Sequence, residues 1–168
     1  MKSELKGRLA RLGPIRGVDR VTSGSSADIV IRPESSLSKV KTIDAVHALV
    51  RRGASAKAAK TAVETMVEHG EAVIELPTVE RGPGLAEELQ SAGIQAMRIV
   101  RPKTADVKAI RQSLGLSVVA FGKRFGINPR TIEGWEQGRP IDETANAYLH
   151  AIAANPAEIG RVLEEPVG

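Results

Sequence analysis

Residues 117–138 read SVVAFGKRFGINPRTIEGWEQG, and the spacing within them decides how the last third of the chain folds. The pattern is that of two short helices joined by a tight turn. Ser117 opens the first helix, where its hydroxyl can accept from a backbone N–H left free at the helix start. Gly122 falls where the second helix crosses the first closely, so a larger side chain would push the two apart. Gly126 falls at the turn, where a positive φ is cheap only for glycine. Ile127 and Ile132 then plug the gap between the helices, and Trp135 covers the inner face of the second. Asn128 suits the N-cap, Pro129 the first helical position and Gly138 the C-terminal stop. This is the spacing of a helix-turn-helix, in which the second helix lies in the DNA major groove with its N-terminal residues on base edges. A purely structural helical hairpin is the alternative reading of the same residues.

Helical geometry sorts the second helix into two faces. With Ile132 and Trp135 inward, Arg130, Thr131, Glu133, Gly134 and Gln137 point outward. Arg130 carries the planar fork that matches guanine O6 and N7, and Gln137 can pair with adenine. Glu133 suits cytosine N4 or the orienting of Arg130, and Thr131 a phosphate or a thymine methyl. Lys123, Arg124 and Arg139 are candidate phosphate contacts, and the backbone N–H of Ser117 at a helix start is another. Asn128, at the head of the second helix, joins the DNA-facing set. Phe121, Phe125, Leu114 and Leu116 are core by spacing.

Composition narrows the class. The chain of 168 residues is long enough for one ordinary domain or two small ones. No stretch approaches the ~18 consecutive apolar residues of a membrane span. The opening MKSELKGRLARLGPIRG is too interrupted by charge to read as a secretory signal. There is no cysteine, which excludes disulfides, thiolate metal sites and cysteine nucleophiles and fits a reducing, cytoplasmic setting. Charge is unevenly placed. Residues 1–20 hold six basic and two acidic residues, and residues 101–139 hold eight basic and three acidic, whereas residues 61–100 hold two basic and seven acidic. A basic helical segment beside an acidic neighbour suits phosphate binding by one module only.

No enzyme is expected. His47, His69 and His150 stand far apart, and none has a second ligand at the i+4 spacing of a metal helix. Glu64, Glu68, Glu71 and Glu75 span a helix end and a strand and read as a solvated face. Gly82-Pro83-Gly84 lacks the lysine and serine of a phosphate loop, so it reads as a turn. No catalytic residue, metal site or cofactor is expected.

All four aromatic residues, Phe121, Phe125, Trp135 and Tyr148, lie in the last third. That shift predicts a boundary near Arg101-Pro102, where the proline also disfavours helix at the residue before it. Residues 1–24 read as a basic tail in which a short amphipathic helix around 3–12 is open. Residues 27–32 alternate as a strand, and 42–52 form a helix with Ile43, Val46, Leu49 and Val50 on one face. Ser55 caps a second helix to about His69, closed by Gly70. Then follow a strand over 71–76, a helix over 84–92 ended by Gly93, and a strand over 94–100. The order β-α-α-β-α-β predicts an α+β domain at 25–101, with three helices on one three-stranded sheet. An all-α helix-turn-helix domain follows at 102–168.

The run ADIVIRPESSLSKVKTIDAVHALVRRGASAKAAKTAVETMVEHGEAVIEL, followed by GLAEELQSAGIQAMRI, resembles the C-terminal domain of the bacterial ribosomal stalk protein and the related protease-adaptor fold. The likeness covers roughly residues 26–100. It implies a surface for a protein partner or for dimerisation, although RRGAS stands where the stalk domain has a glycine-leucine turn. The run VKAIRQSLGLSVVAFGKRFGINPRTIEGWEQGRPIDETANAYLHAIAANPAEIGRVL resembles phage-repressor-type (xenobiotic-response-element) helix-turn-helix regulators, and more closely the antitoxins of the host-inhibition-of-growth type. Val118 stands where that family usually has a glutamine on phosphate and base edges, and Gly122 where alanine is commoner.

Together these readings predict a dimeric repressor that binds double-stranded DNA and occludes a promoter, on half-sites about 34 Å apart. In the C-terminal helices Ala145, Tyr148, Leu149, Ile152, Ile159 and Leu163 finish the core or form the dimer contact. Two other roles are open: an antitoxin that binds a small ribonuclease toxin through residues 25–101 and represses its own operon, and an adaptor whose stalk-like domain docks a translation or protease component.

Overall fold

Residues 25–33 alternate apolar and polar side chains, and they form the strand on which the first half of the protein is built. In the computed structural model, which describes residues 2–11 and 17–165, β1 (Ser25–Pro33) is central. It pairs antiparallel with β2 (Ala72–Val79) on one side and β3 (Ile94–Arg98) on the other. Val30 sits opposite Val73 and Met97, and Ile29 opposite Ile74 and Arg98. Alternation therefore sends Ile29, Ile31, Ala72, Ile74, Leu76 and Ile94 to one face, and all are buried. Pro77 lies within β2, where an edge strand tolerates the missing N–H. Protein architecture is thus α+β, with one three-stranded antiparallel sheet and, among the described residues, nine α-helices. The chain divides into two compact units, Met1–Val100 and Arg101–Gly168.

In the first unit, α2 (Thr42–Arg51), α3 (Ala56–His69) and α4 (Gly84–Ser91) supply Val46, Leu49, Val63, Met66, Val67, Leu85 and Leu89 to the core. Ser55 Oγ accepts from the Ala58 N–H at 3.1 Å to start α3, and Gly70, at φ +89°, ends it. Three sequence expectations need correcting. Ile43 is 39% exposed, because the inward stripe of α2 is completed by the small Ala45 and Ala48 and leaves Ile43 at its margin. The stretch 1–24 is not simply a tail, since α1 (Lys2–Ala10) buries Leu5 and Leu9, one turn apart, in the same core. Lys6 Nζ donates to a Glu68 carboxylate oxygen at 2.8 Å and Lys2 Nζ to the Glu68 carbonyl at 2.9 Å. Four helices, not three, therefore build this unit. The last strand also ends at Arg98 rather than at residue 100, with Ile99 and Val100 exposed.

Arg52 is 1% exposed in this unit. Its Nη1 donates to the Ala48 carbonyl at 3.1 Å and to Glu88 at 2.8 Å, its Nη2 to Glu88 at 3.0 Å and to Glu80, and its Nε to Glu80 at 3.2 Å. Burial alone would lower the guanidinium's affinity for its proton, but the hydrogen bonds and charges of Glu80 and Glu88 hold it above the ordinary arginine value. The hydrogen bond from Arg52 in turn holds Glu80 below the usual carboxylate range. A Cβ at Gly84 would meet the Glu80 carboxylate that Arg52 holds, so glycine leaves that carboxylate its place where α4 begins.

The second unit holds α5 (Val107–Ser113), α6 (Val118–Phe125), α7 (Pro129–Glu136), α8 (Glu143–Ala154) and α9 (Pro156–Arg161). Its core is Val107, Phe121, Phe125, Ile132, Leu149 and Ile152, with Leu114, Leu116, Ile127, Trp135, Tyr148 and Ile159 half-buried against it. The rings of Phe121 and Phe125 tilt together at 4.9 Å between centroids, and the Tyr148 hydroxyl donates to the Phe125 carbonyl at 3.0 Å. His150 Nε2 lies 2.7 Å from the Lys103 carbonyl, and Asn146 Oδ1 accepts from the Ala105 N–H at 2.7 Å. Together they tie the entry segment to α8. No helix among the described residues is long and apolar enough to cross a membrane.

Replacing Arg52 by alanine leaves Glu80 without its hydrogen-bonded cation and Glu88 with only Arg51, 3.3 Å away. The expected cost to the first unit is about 2 kcal/mol, less than for a stranded buried charge because both carboxylates reach solvent. Denaturant unfolding followed by far-ultraviolet circular dichroism reads this directly, and an unchanged midpoint would contradict it.

Candidate nucleic-acid interface

The α6–α7 pair is fixed first by its ends. Ser117 Oγ accepts from the Ala120 N–H at 3.1 Å, and Asn128 Oδ1 accepts from the Arg130 N–H at 2.9 Å. Gly126 is left-handed at φ +66° and returns its N–H to the Gly122 carbonyl, while the Ile127 N–H reaches the same carbonyl at 2.9 Å. A Cβ at Gly122 would overlap the Ile127 carbonyl oxygen and stand 3.2 Å from Pro129 Cγ. Backbone therefore lies on backbone here, closer than any side chain permits.

An ion pair completes the frame. Arg111 on α5 meets Glu136, the last residue of α7, with Nε–Oε1 at 2.8 Å and Nη2–Oε2 at 3.0 Å, and its Nη1 donates to the Leu116 carbonyl at 3.0 Å. One guanidinium thus holds the end of α7 and the segment just before α6. The fork is bidentate and both side chains are 14% exposed, the geometry in which such pairs are strong. The hydrogen bond from Arg111 holds Glu136 below the usual carboxylate range. Sequence reading counted Arg111 only as one of eight basic residues. Its partner is 25 positions away, and no local spacing rule connects them.

The frame leaves Arg130 and Glu133 exposed on α7, Gln137 exposed at its C-cap and Lys123 exposed on α6, with Thr131 half-buried. Ser117 and Asn128 are exposed, but the oxygen of each already serves a helix cap. Three expectations change. Gly134 is not an open outward position, since it is buried and a Cβ there would come within 2.8 Å of Arg139 Cζ. Arg124 is not a free cation, because its Nη1 contacts Glu164 at 3.3 Å, its guanidinium lies 5.8 Å from the Phe125 ring centre, and it packs against Gly160. Leu163, expected to finish the core or form a dimer contact, is 53% exposed, which removes the first of those two places. Val118 packs half-buried against the hydrophobic core, so it adds apolar contact and no polar group at the start of α6.

Electrostatics separate the arginines of this unit. Arg101, Arg111 and Arg124 each lie on a carboxylate, whereas among the described residues Arg130, Arg139 and, on α9, Arg161 have none within salt-bridge distance. No group of three or more metal-ligating side chains occurs among the described residues. Comparison with protein-family models, curated proteins and solved structures returns no match.

Because Gly122 sits under the Ile127 carbonyl, Gly122→Ala is expected to destabilise the second unit by about 1–2 kcal/mol. Overpacking outweighs the gain of up to ~1 kcal/mol that alanine brings to a helix interior. Trp135, the chain's one tryptophan, reports the transition by fluorescence, and a variant as stable as the parent would contradict the close approach.

Proposed function

We propose that the chain is a sequence-specific DNA-binding regulator, acting as a dimeric repressor that occludes a promoter. In this reading the α6–α7 pair is a helix-turn-helix, α7 enters the major groove, and residues 25–101 dimerise or bind a protein partner. The observation that carries it is the outer face of α7. Arg130, Glu133 and Gln137 stand exposed there on a helix held at both ends, by the Asn128 cap and by the Arg111–Glu136 fork. A rigid polar face on a short helix is what base reading needs, because each hydrogen bond then costs little ordering on binding. Arg130 reads a guanine edge and Gln137 an adenine edge, with Lys123 on phosphate. Ser117 contributes its backbone N–H and Asn128 its amide N–H groups, their side-chain oxygens being used in capping.

The sheet of the first unit supports a role for a protein partner beside DNA binding. On the face away from the helices, Val73 and Met97 are 59% and 53% exposed on either side of Val30, with Asp28, Glu71 and Glu75 exposed around them. An open apolar row among exposed carboxylates, one of them paired with the exposed Arg32 of the same face, suits a docking surface, as the antitoxin and adaptor roles would each require.

Selection from random-sequence DNA with the full chain tests the principal reading, followed by fluorescence anisotropy on the enriched duplex. Arg130→Ala is expected to weaken binding roughly 10- to 100-fold and to relax preference at one base pair. Unchanged binding by that variant would remove Arg130 from the reading set, and no enrichment of any sequence by the parent chain would overturn the function.

A further inference from the structure

The middle of α7 contains a residue that helix formation does not favour. Glycine in a helix interior costs up to about 1 kcal/mol relative to alanine, yet Gly134 sits one turn after Arg130 on the outward side of the helix. The space a side chain would occupy is filled from elsewhere. An ideal Cβ on Gly134 would lie 2.8 Å from Arg139 Cζ and 3.0 Å from both its Nε and Nη1. The Arg139 side chain therefore runs back from beyond the end of α7 and lays its guanidinium on the bare backbone at Gly134.

The chain turns to make this possible. Gly138 adopts φ +94°, a conformation that side-chain-bearing residues rarely take. The Arg139 N–H then donates to the Gly134 carbonyl at 2.9 Å. The backbone of Arg139 is thus hydrogen-bonded to Gly134, and its side chain lies against the same residue. A second arginine in the unit uses a glycine in the same way, Arg124 on Gly160, with Nη2 2.8 Å and Cζ 3.0 Å from the ideal Cβ. There the charge is met by Glu164, so that seat serves packing. Arg139 has no such carboxylate among the described residues, and the residue is exposed.

We propose that Arg139 is a second base-reading residue, its guanidinium presented on the outward face of α7 through the notch left by Gly134, with a guanine edge as its ligand. The proposal rests on the DNA-binding reading above and assigns Arg139 a role different from phosphate contact. A phosphate contact needs only charge, which a mobile lysine-like side chain supplies. A planar fork laid along the outer side of the helix matches guanine O6 and N7 in the groove, which a point charge does not. Positions four apart on a helix are about 5–6 Å apart, so Arg130 and the fork over Gly134 suit two different base pairs.

Arg139→Lys separates the two roles, because it keeps the charge and loses the fork. On the duplex enriched by the parent chain, Arg139→Lys is expected to bind at least 10-fold more weakly. In a repeated selection it should lose preference at one base pair, distinct from the pair relaxed by Arg130→Ala. Gly134→Ala, which fills the notch, should weaken binding similarly while leaving the Trp135 unfolding midpoint equal or higher, and it should add nothing in an Arg139→Ala background. If Arg139→Lys binds and selects as the parent does, or if the Gly134 and Arg139 effects simply multiply, the inference is overturned while the DNA-binding reading stands. If the parent chain enriches no sequence, both fall together.

Discussion

The second unit depends on a contact between two stretches of backbone: Gly122 against the carbonyl of Ile127. Without a Cβ at 122 the turn after α6 can fold directly onto that helix, and the start of α7 follows it. Pro129, pressed against the same spot, fixes φ at the first residue of α7 and needs no N–H there. Phe121 and Phe125 lie in the core one turn apart, and Ile132 on α7 is buried in the same cluster. The angle of α7 is thus set by packing, and its exposed side is free to carry polar groups that packing does not use.

Arginine does three different jobs in this chain, and burial with pairing tells them apart. Arg52 and Arg111 are structural: each is largely enclosed and engages carboxylates through several N–H groups. Arg124 is a surface fastener, set against Phe125 and Gly160 with Glu164 on its flank. Arg130 and Arg139 lie beside α7 with no carboxylate among the described residues, which leaves their forks for an external acceptor. A count of positive charges over residues 101–139 mixes all three kinds. Neutralised arginines contribute little field, so the cations that matter to a polyanion are fewer than the composition implies.

Much of the fold was legible because the deciding signals are local. The alternation in ADIVIR, the Ser55 and Ser117 caps, and the glycines at 70 and 126 each act within a few residues of where they are read. The face of α7 that carries Arg130, Glu133 and Gln137 followed from helical period alone. What escaped were interactions between distant positions. Leu5 and Leu9 look like a brief apolar interruption in a basic segment until α3 is beside them. Arg52 and Arg111 look like solvated charge until Glu80, Glu88 and Glu136 close on them. Gly134 was read as outward by period, which is right for its backbone, but its burial depends on Arg139 folding back from a separate turn. A glycine in mid-helix was the visible signal, and only the fold shows what fills its place.

Anisotropy titration of the full chain across a salt series, on its enriched duplex and on a scrambled duplex of equal length, tests the central claim most directly. The account expects the enriched duplex to bind about a thousandfold or more tightly, with log K falling steeply against log salt on both. Equal affinity for the two duplexes at every salt concentration would contradict it, because an outer face of α7 that reads bases must discriminate between them.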